Sequence, residues 1–154
     1  MRPLLEAGQD ILFIGMSSGV SGSFQAGMVA AAQLRAEFPE RSIELIDTLG
    51  ASLGEGLVVL RAAELRDSGI ALSAAVHLLS DYRDRICQVF TVDNLKYLCS
   101  TGRLSNAKAA IGNILNIKPL LKGDSEGKIV NFGKVRGRKK LPARNCGTIP
   151  RIRC

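Results

Sequence analysis

Four serines and two glycines fall within seven residues, Ser17-Ser18-Gly19-Val20-Ser21-Gly22-Ser23. They follow the apolar, strand-like run Ile11–Ile14, and a helix-like pattern begins near Ser23. A loop of this kind sets hydroxyl and backbone N–H groups at the positive end of a helix, where an anion is stabilised. Its glycines permit close backbone approach and positive φ angles. The Gly-Lys-Ser/Thr ending of a phosphate-binding P-loop is missing, and the glycines do not fit Gly-x-Gly-x-x-Gly, so a nucleotide is a poor match. A small oxyanion, carboxylate or phosphate, fits better. Taken alone, the loop is equally well explained as an ordinary strand-to-helix turn.

The other chemistry-bearing residues are sparse. Asp47 has no His, Cys or second carboxylate placed beside it by any motif, so it reads as a loop-organising hydrogen-bond acceptor. The cysteines Cys87, Cys99, Cys146 and Cys154 show no Cys-x-x-Cys spacing, and His77 is the single histidine. This argues against a metal site and against a disulfide framework, and makes a reduced, cytoplasmic protein the default. Hydrophobic residues at 46% with 23% charged residues indicate a globular chain. No apolar run approaches the ~20 residues that would cross a bilayer, and the opening residues lack the apolar core of a secretory signal, so no integral membrane association is expected. The net charge of +7 is uneven: nine Lys or Arg and no acid lie in residues 128–154, which leaves the body mildly acidic.

These residues must be held by elements that the periodicity outlines. Residues 11–15 read as a buried strand, and 23–37 as a helix with Phe24, Met28, Ala31, Leu34 and Phe38 on its apolar face, closed by Pro39. Ser21 or Ser23 is the expected cap. A second strand over Ser42–Ile46 carries Asp47-Thr48 at its carboxyl end, and helices over about Ser52–Asp67 and Ser73–Arg85 follow. This alternation implies parallel strands with right-handed crossovers, and ligands in such sheets bind outside the carboxyl ends of the strands. From Cys87 the style changes. A strand to Val92, a short helix capped by Asp93, a helix over Leu104–Leu115 and a hairpin of 117–121 with 128–133 are predicted. Cys87 and Cys99 are expected in the core and His77 half-buried on its helix. The expected division is a partial parallel-sheet α/β domain over 1–88, the beginning of a second α/β domain over 89–140, and a divergent, basic, disordered tail over 141–154.

Read together, six ordered segments resemble the DegV family of bacterial fatty-acid-binding proteins, which includes the lipid-carrying subunit of fatty acid kinase. They are Ser17–Gln25; Asp47-Thr48 with Ala51–Gly56; Phe90–Leu98; Gly102-Arg103-Leu104-Ser105; Leu115–Pro119; and Lys134–Lys140. The resemblance implies a two-domain α/β fold with a long-chain fatty acid buried between the domains and its carboxylate held by hydroxyl groups. A buried carboxylate needs such donors, while each buried methylene of the tail supplies about 0.8 kcal/mol. By resemblance Ser17 and Ser18 stand at the carboxylate. Gly19, Ser21, Gly22, Ser23 and Asp47 shape the loop. Arg103 could face the acyl carboxylate or a kinase, or only cap or pair locally, which is the favoured role. Arg136 and Arg138 could present a cationic surface to a kinase, or equally form a solvated basic tail.

It implies a non-catalytic carrier, with no cofactor beyond the bound acid, that serves a separate ATP-dependent fatty acid kinase. The family's N-terminal Asp-bearing strand, its Thr-Ser-x-Pro segment and its distal His-x-Gly-Pro-Gly region are not found, and the likeness stops after Lys140. An N- and C-terminally incomplete member is therefore expected. Two alternatives stand beside this reading: a nucleic-acid-binding module using residues 128–154, and a truncated fragment without function. The lack of a nucleic-acid motif and the scarcity of aromatic residues count against the first.

Overall fold

The computed structural model describes residues 1–104 and 117–136. The expected helix over 104–115 (beyond Leu104 itself), Arg138, Cys146, Cys154 and the 141–154 tail lie outside the described residues. Among the described residues ten elements follow in chain order: α1 (Arg2–Glu6), β1 (Ile11–Gly15), α2 (Ser23–Glu37), β2 (Ile43–Asp47), α3 (Leu53–Asp67), α4 (Leu72–Arg83), β3 (Val89–Phe90), α5 (Lys96–Ser100), β4 (Ile117–Gly123) and β5 (Ile129–Arg136).

β1 and β2 pair in parallel, from Ile11 opposite Ile43 to Gly15 opposite Asp47, with α2 as the crossover. A parallel pair is covered on both faces, and the uninterrupted Ile11-Leu12-Phe13-Ile14 suits that burial. Ile11 and Ile43 pack with Leu5, Ala31 and Leu34 on one face. On the other, Ile46 packs with Val58, Leu65, Ala75 and Leu79, supported by Leu12 and Ile14. The buried face of α2 is Gly27, Ala31 and Leu34, whereas Met28 is turned out. The ring of Phe13 lies where a side chain at Gly27 would be, 2.7 Å from an ideal Cβ, and this rotates the packed face away from Met28.

The second sheet is antiparallel, in the order β3-β4-β5, with a bulge after Leu120 that brings Leu121 opposite Asn131. Its core is Leu104, Leu121 and Ile129, flanked by Phe90, Val92, Leu95, Leu98 and Cys99. Here the sequence expectations need correction. The strand expected over Cys87–Val92 contracts to two residues, and Cys87 is exposed. Asp93 does not cap the following helix: it pairs with Lys118 at 2.7 Å, and the Asn94 Oδ1 accepts the Lys96 N–H at 2.9 Å instead. His77 is exposed on α4 rather than half-buried.

Leu79 is fully buried between α4 and the sheet, whereas Leu53 on α3 is 83% exposed. Leu79→Ala is expected to destabilise the chain by about 2–5 kcal/mol, and Leu53→Ala by no more than about 0.5 kcal/mol. Urea unfolding of the two variants measures this, and similar losses would contradict the placement of the core.

Candidate functional site

The pairing of β1 with β2 continues past the strand ends and organises both loops that leave them. The Ser17 N–H donates to the Gly50 carbonyl (2.8 Å) and the Thr48 N–H to the Gly15 carbonyl (3.1 Å). The buried Thr48 hydroxyl donates to the same Gly15 carbonyl at 2.8 Å. The Asp47 carboxylate accepts the Ser18 N–H (3.2 and 3.3 Å) and the Leu49 N–H (3.0 Å), which makes it a loop-organising acceptor. The Arg83 guanidinium, from the end of α4, donates to the Asp47 carbonyl at 2.9 Å.

The two leading serines stand in opposite environments. Ser17 is 1% exposed. Its hydroxyl donates to the Gly127 carbonyl (2.8 Å) and accepts the Gly19 N–H (3.1 Å), so both of its roles are taken inside the protein. Ser18 is exposed; its N–H is held by Asp47, and its hydroxyl lies at the surface.

The partner of Ser17 is the β4–β5 turn. Asp124 organises that turn as an Asx motif, its carboxylate accepting the N–H groups of Glu126 and Lys128 at 2.9 Å each. Gly127 adopts φ +69°, and an ideal Cβ there would lie 2.2 Å from the Ser17 hydroxyl oxygen. From the other side, a Cβ on Gly19 would lie 2.6 Å from the Glu126 carbonyl. Only glycine fits at either position. Val20 then packs into the core of the second sheet, while Arg103 donates to the Val20 carbonyl (3.3 Å) and the Thr101 carbonyl (2.8 Å).

Beyond Val20 the loop feeds α2. Gly22 is the N-cap residue and supplies no side chain, so neither predicted serine occupies that position. Ser21 instead accepts the Ser23 N–H (3.2 Å) and donates to the Ser23 hydroxyl (3.1 Å). The first-turn N–H groups of Phe24 and Gln25 have no intrahelical acceptor. A Cβ on Gly22 would meet nothing within 4 Å, so the space beside this N-cap residue is open.

Ser17, Ser18, Gly19, Ser21, Gly22, Ser23, Asp47 and Arg103 thus converge on one loop cluster. Arg136 does not join them: it ends β5, seven residues beyond Ile129, or roughly 23 Å along an extended strand. Lys128 pairs with Glu126, and that hydrogen bond holds its ammonium above the usual lysine range. An open cleft of about 310 Å³ lies beside the cluster, bordered by Arg83, Asp84, Lys122 and Asp124. Leu49, Ile86 and Cys87 line it as well. Among the described residues no His, Cys, Asp and Glu side chains are grouped to hold a metal ion, and no helix is long and apolar enough to cross a membrane. Thr48 stood out in the sequence only as the neighbour of Asp47 at the strand's carboxyl end, and Asp124 and Gly127 only as parts of a turn. The Gly-Asp-Ser-Glu-Gly stretch signals a turn but not what the turn rests on.

The sequence profile of the DegV family matches residues 1–149. The DegV domain-containing protein YteA of Lactococcus lactis is 42% identical over 139 residues, which are 90% of this chain and 48% of that protein. A fatty-acid-binding DegV family protein from Thermus thermophilus superimposes with a TM-score of 0.77 at 38% identity, covering 94% of this chain and 51% of that one. The fatty acid kinase B3 protein of Streptococcus pneumoniae, loaded with linoleic acid, superimposes with a TM-score of 0.80 at 25% identity, covering 94% and 52%. The chain spans about half the length of the relatives it matches.

Ser17→Ala would leave the buried Gly127 carbonyl without its donor, a loss of about 1–3 kcal/mol in chemical denaturation. Ser18→Ala, at an exposed hydroxyl, is expected to change stability by less than about 0.5 kcal/mol. Equal losses would contradict the division of roles between the two serines.

Proposed function

The chain belongs to the DegV family, and from that premise we propose that it binds a long-chain fatty acid, with the carboxylate at Ser18, and presents it to a separate kinase. The observation that carries this reading is the exposed Ser18 hydroxyl beside the open, positive N-terminus of α2, on a loop fixed from beneath. The carboxylate would accept the Ser18 O–H, the Ser23 O–H and the N–H groups of Phe24 and Gln25. Charge-assisted bonds of this kind are roughly twice as strong as neutral ones. Ser17 is assigned to support rather than to the ligand, because its hydroxyl already has a buried acceptor and a buried donor.

The tail would run between the units 1–88 and 89–140 and supply most of the affinity. Fatty-acid binding by the Thermus thermophilus and Streptococcus pneumoniae relatives supports the ligand class. The kinase B3 relative supports a carrier role, with no chemistry performed by this chain. The reaction it would serve is attack of a carboxylate oxygen on the γ-phosphorus of ATP, which releases ADP and leaves an acyl phosphate. Such a partner works in the cytoplasm, where ATP is supplied. Arg103 then belongs to the loop support, whereas Arg136, exposed at the far end of β5, remains for the kinase surface.

Native mass spectrometry of the purified chain, followed by organic extraction, tests this. One releasable fatty acid per chain is expected, with retention roughly tenfold weaker in Ser18→Ala and largely kept in Ser18→Thr. Unchanged retention in Ser18→Ala would remove that hydroxyl from the site.

A further inference from the structure

A third contact holds the frame of Ser18, and it comes from a residue with no assigned part. α3 is a 15-residue helix whose N-terminus has no side-chain cap. Its N-cap residue, Ser52, adopts φ +52° and ψ −118°, a conformation rarely taken by residues with side chains, and its hydroxyl does not bond to the first turn. The carboxamide of Gln88 reaches the turn just ahead of this end: the N–H of Ala51, one position before Ser52 and 37 from Gln88, donates to the Gln88 Oε1 at 3.4 Å. The carboxamide lies over the first turn only because residue 54 is glycine: an ideal Cβ on Gly54 would sit 2.5 Å from Oε1 and 3.1 Å from Cδ.

Gln88 immediately precedes β3, the first strand of the second sheet. What it reaches is the turn from Asp47 to Ala51. That turn accepts the Ser17 N–H on Gly50 and the Ser18 N–H on Asp47. A displacement of Ala51 is therefore passed within a few bonds to the atoms that set the Ser18 hydroxyl. The Ser17–Gly127 contact ties the second sheet to the serine loop from the hairpin side, and Gln88 ties it to the adjoining turn from the start of β3.

We propose that Gln88 is a positioning residue for Ser18: its carboxamide oxygen holds the Ala51 N–H and so couples the second sheet to the Asp47–Ala51 turn. The consequence for ligand binding rests on the fatty-acid reading; the positioning itself does not.

The test uses the full chain and three variants: Gln88→Ala, Gln88→Glu, which keeps the acceptor, and Gly54→Ala, which pushes the carboxamide out while leaving it in the protein. Amide hydrogen exchange is read at Ala51, Ser18 and Leu79 in lipid-free protein, and retention of palmitic acid is read separately. In Gln88→Ala, exchange at Ala51 and Ser18 is expected to quicken roughly 3- to 10-fold, the range for losing one neutral hydrogen bond, with Leu79 unchanged. Gly54→Ala should reproduce this, Gln88→Glu should reverse it, and palmitic acid retention should fall and recover in the same order. Unchanged exchange at Ala51 or Ser18 in Gln88→Ala, or no rescue by Gln88→Glu, overturns the proposal. An unmodified chain that retains no palmitic acid overturns the fatty-acid reading, and the exchange rates then decide the role of Gln88 by themselves.

Discussion

One buried hydroxyl joins the two halves of this structure. The Ser17 side chain gives its proton to the carbonyl of Gly127, 110 positions away, and takes the N–H of Gly19 in return. Because it is buried, losing either partner would leave a polar group without water or protein to satisfy it. The contact forms only if three things coincide: a glycine at 19, a glycine in left-handed conformation at 127, and a hairpin turn set by Asp124. From it follow the seating of Val20 in the second core and the presentation of Ser18 at the surface.

The same arrangement separates structure from chemistry within one short loop. Adjacent serines cannot share a role when one points into the protein and the other out of it. Ser17 gives the loop its position, Asp47 holds the Ser18 backbone, and the Ser18 side chain is left at the surface. α2 leaves the same loop with Gly22 at its N-cap, so its partial positive charge is not screened by an N-cap side chain.

Much of this was legible in the sequence where the signal is local. The apolar runs of β1 and β2, the long helices and the antiparallel hairpin come from periodicity and turn chemistry over a few residues, and each was located to within a few positions. The DegV resemblance was legible as well, because it rests on ordered motifs. The misses share a cause. Ser17 and Ser18 look alike in sequence, since what distinguishes them is a carbonyl from another sheet. Met28 fits a helical stripe, and only the ring of Phe13 over Gly27 turns it outward. Asp93 has the chemistry of a cap, but Lys118 competes for it from across the sheet. Local propensity was overridden wherever a long-range partner offered a better bond.

The central claim is that a carboxylate sits over the N-terminus of α2 at Ser18. The most direct measurement is NMR titration of the isotopically labelled chain with palmitic acid carrying ¹³C at its carboxyl carbon. The account predicts that the amide resonances of Phe24 and Gln25 and the side-chain resonances of Ser18 shift together, with contacts from the labelled carboxyl group to the Ser18 β-protons. Shifts confined to the cleft around Arg83 and Lys122, with Phe24 and Gln25 unmoved, would contradict it.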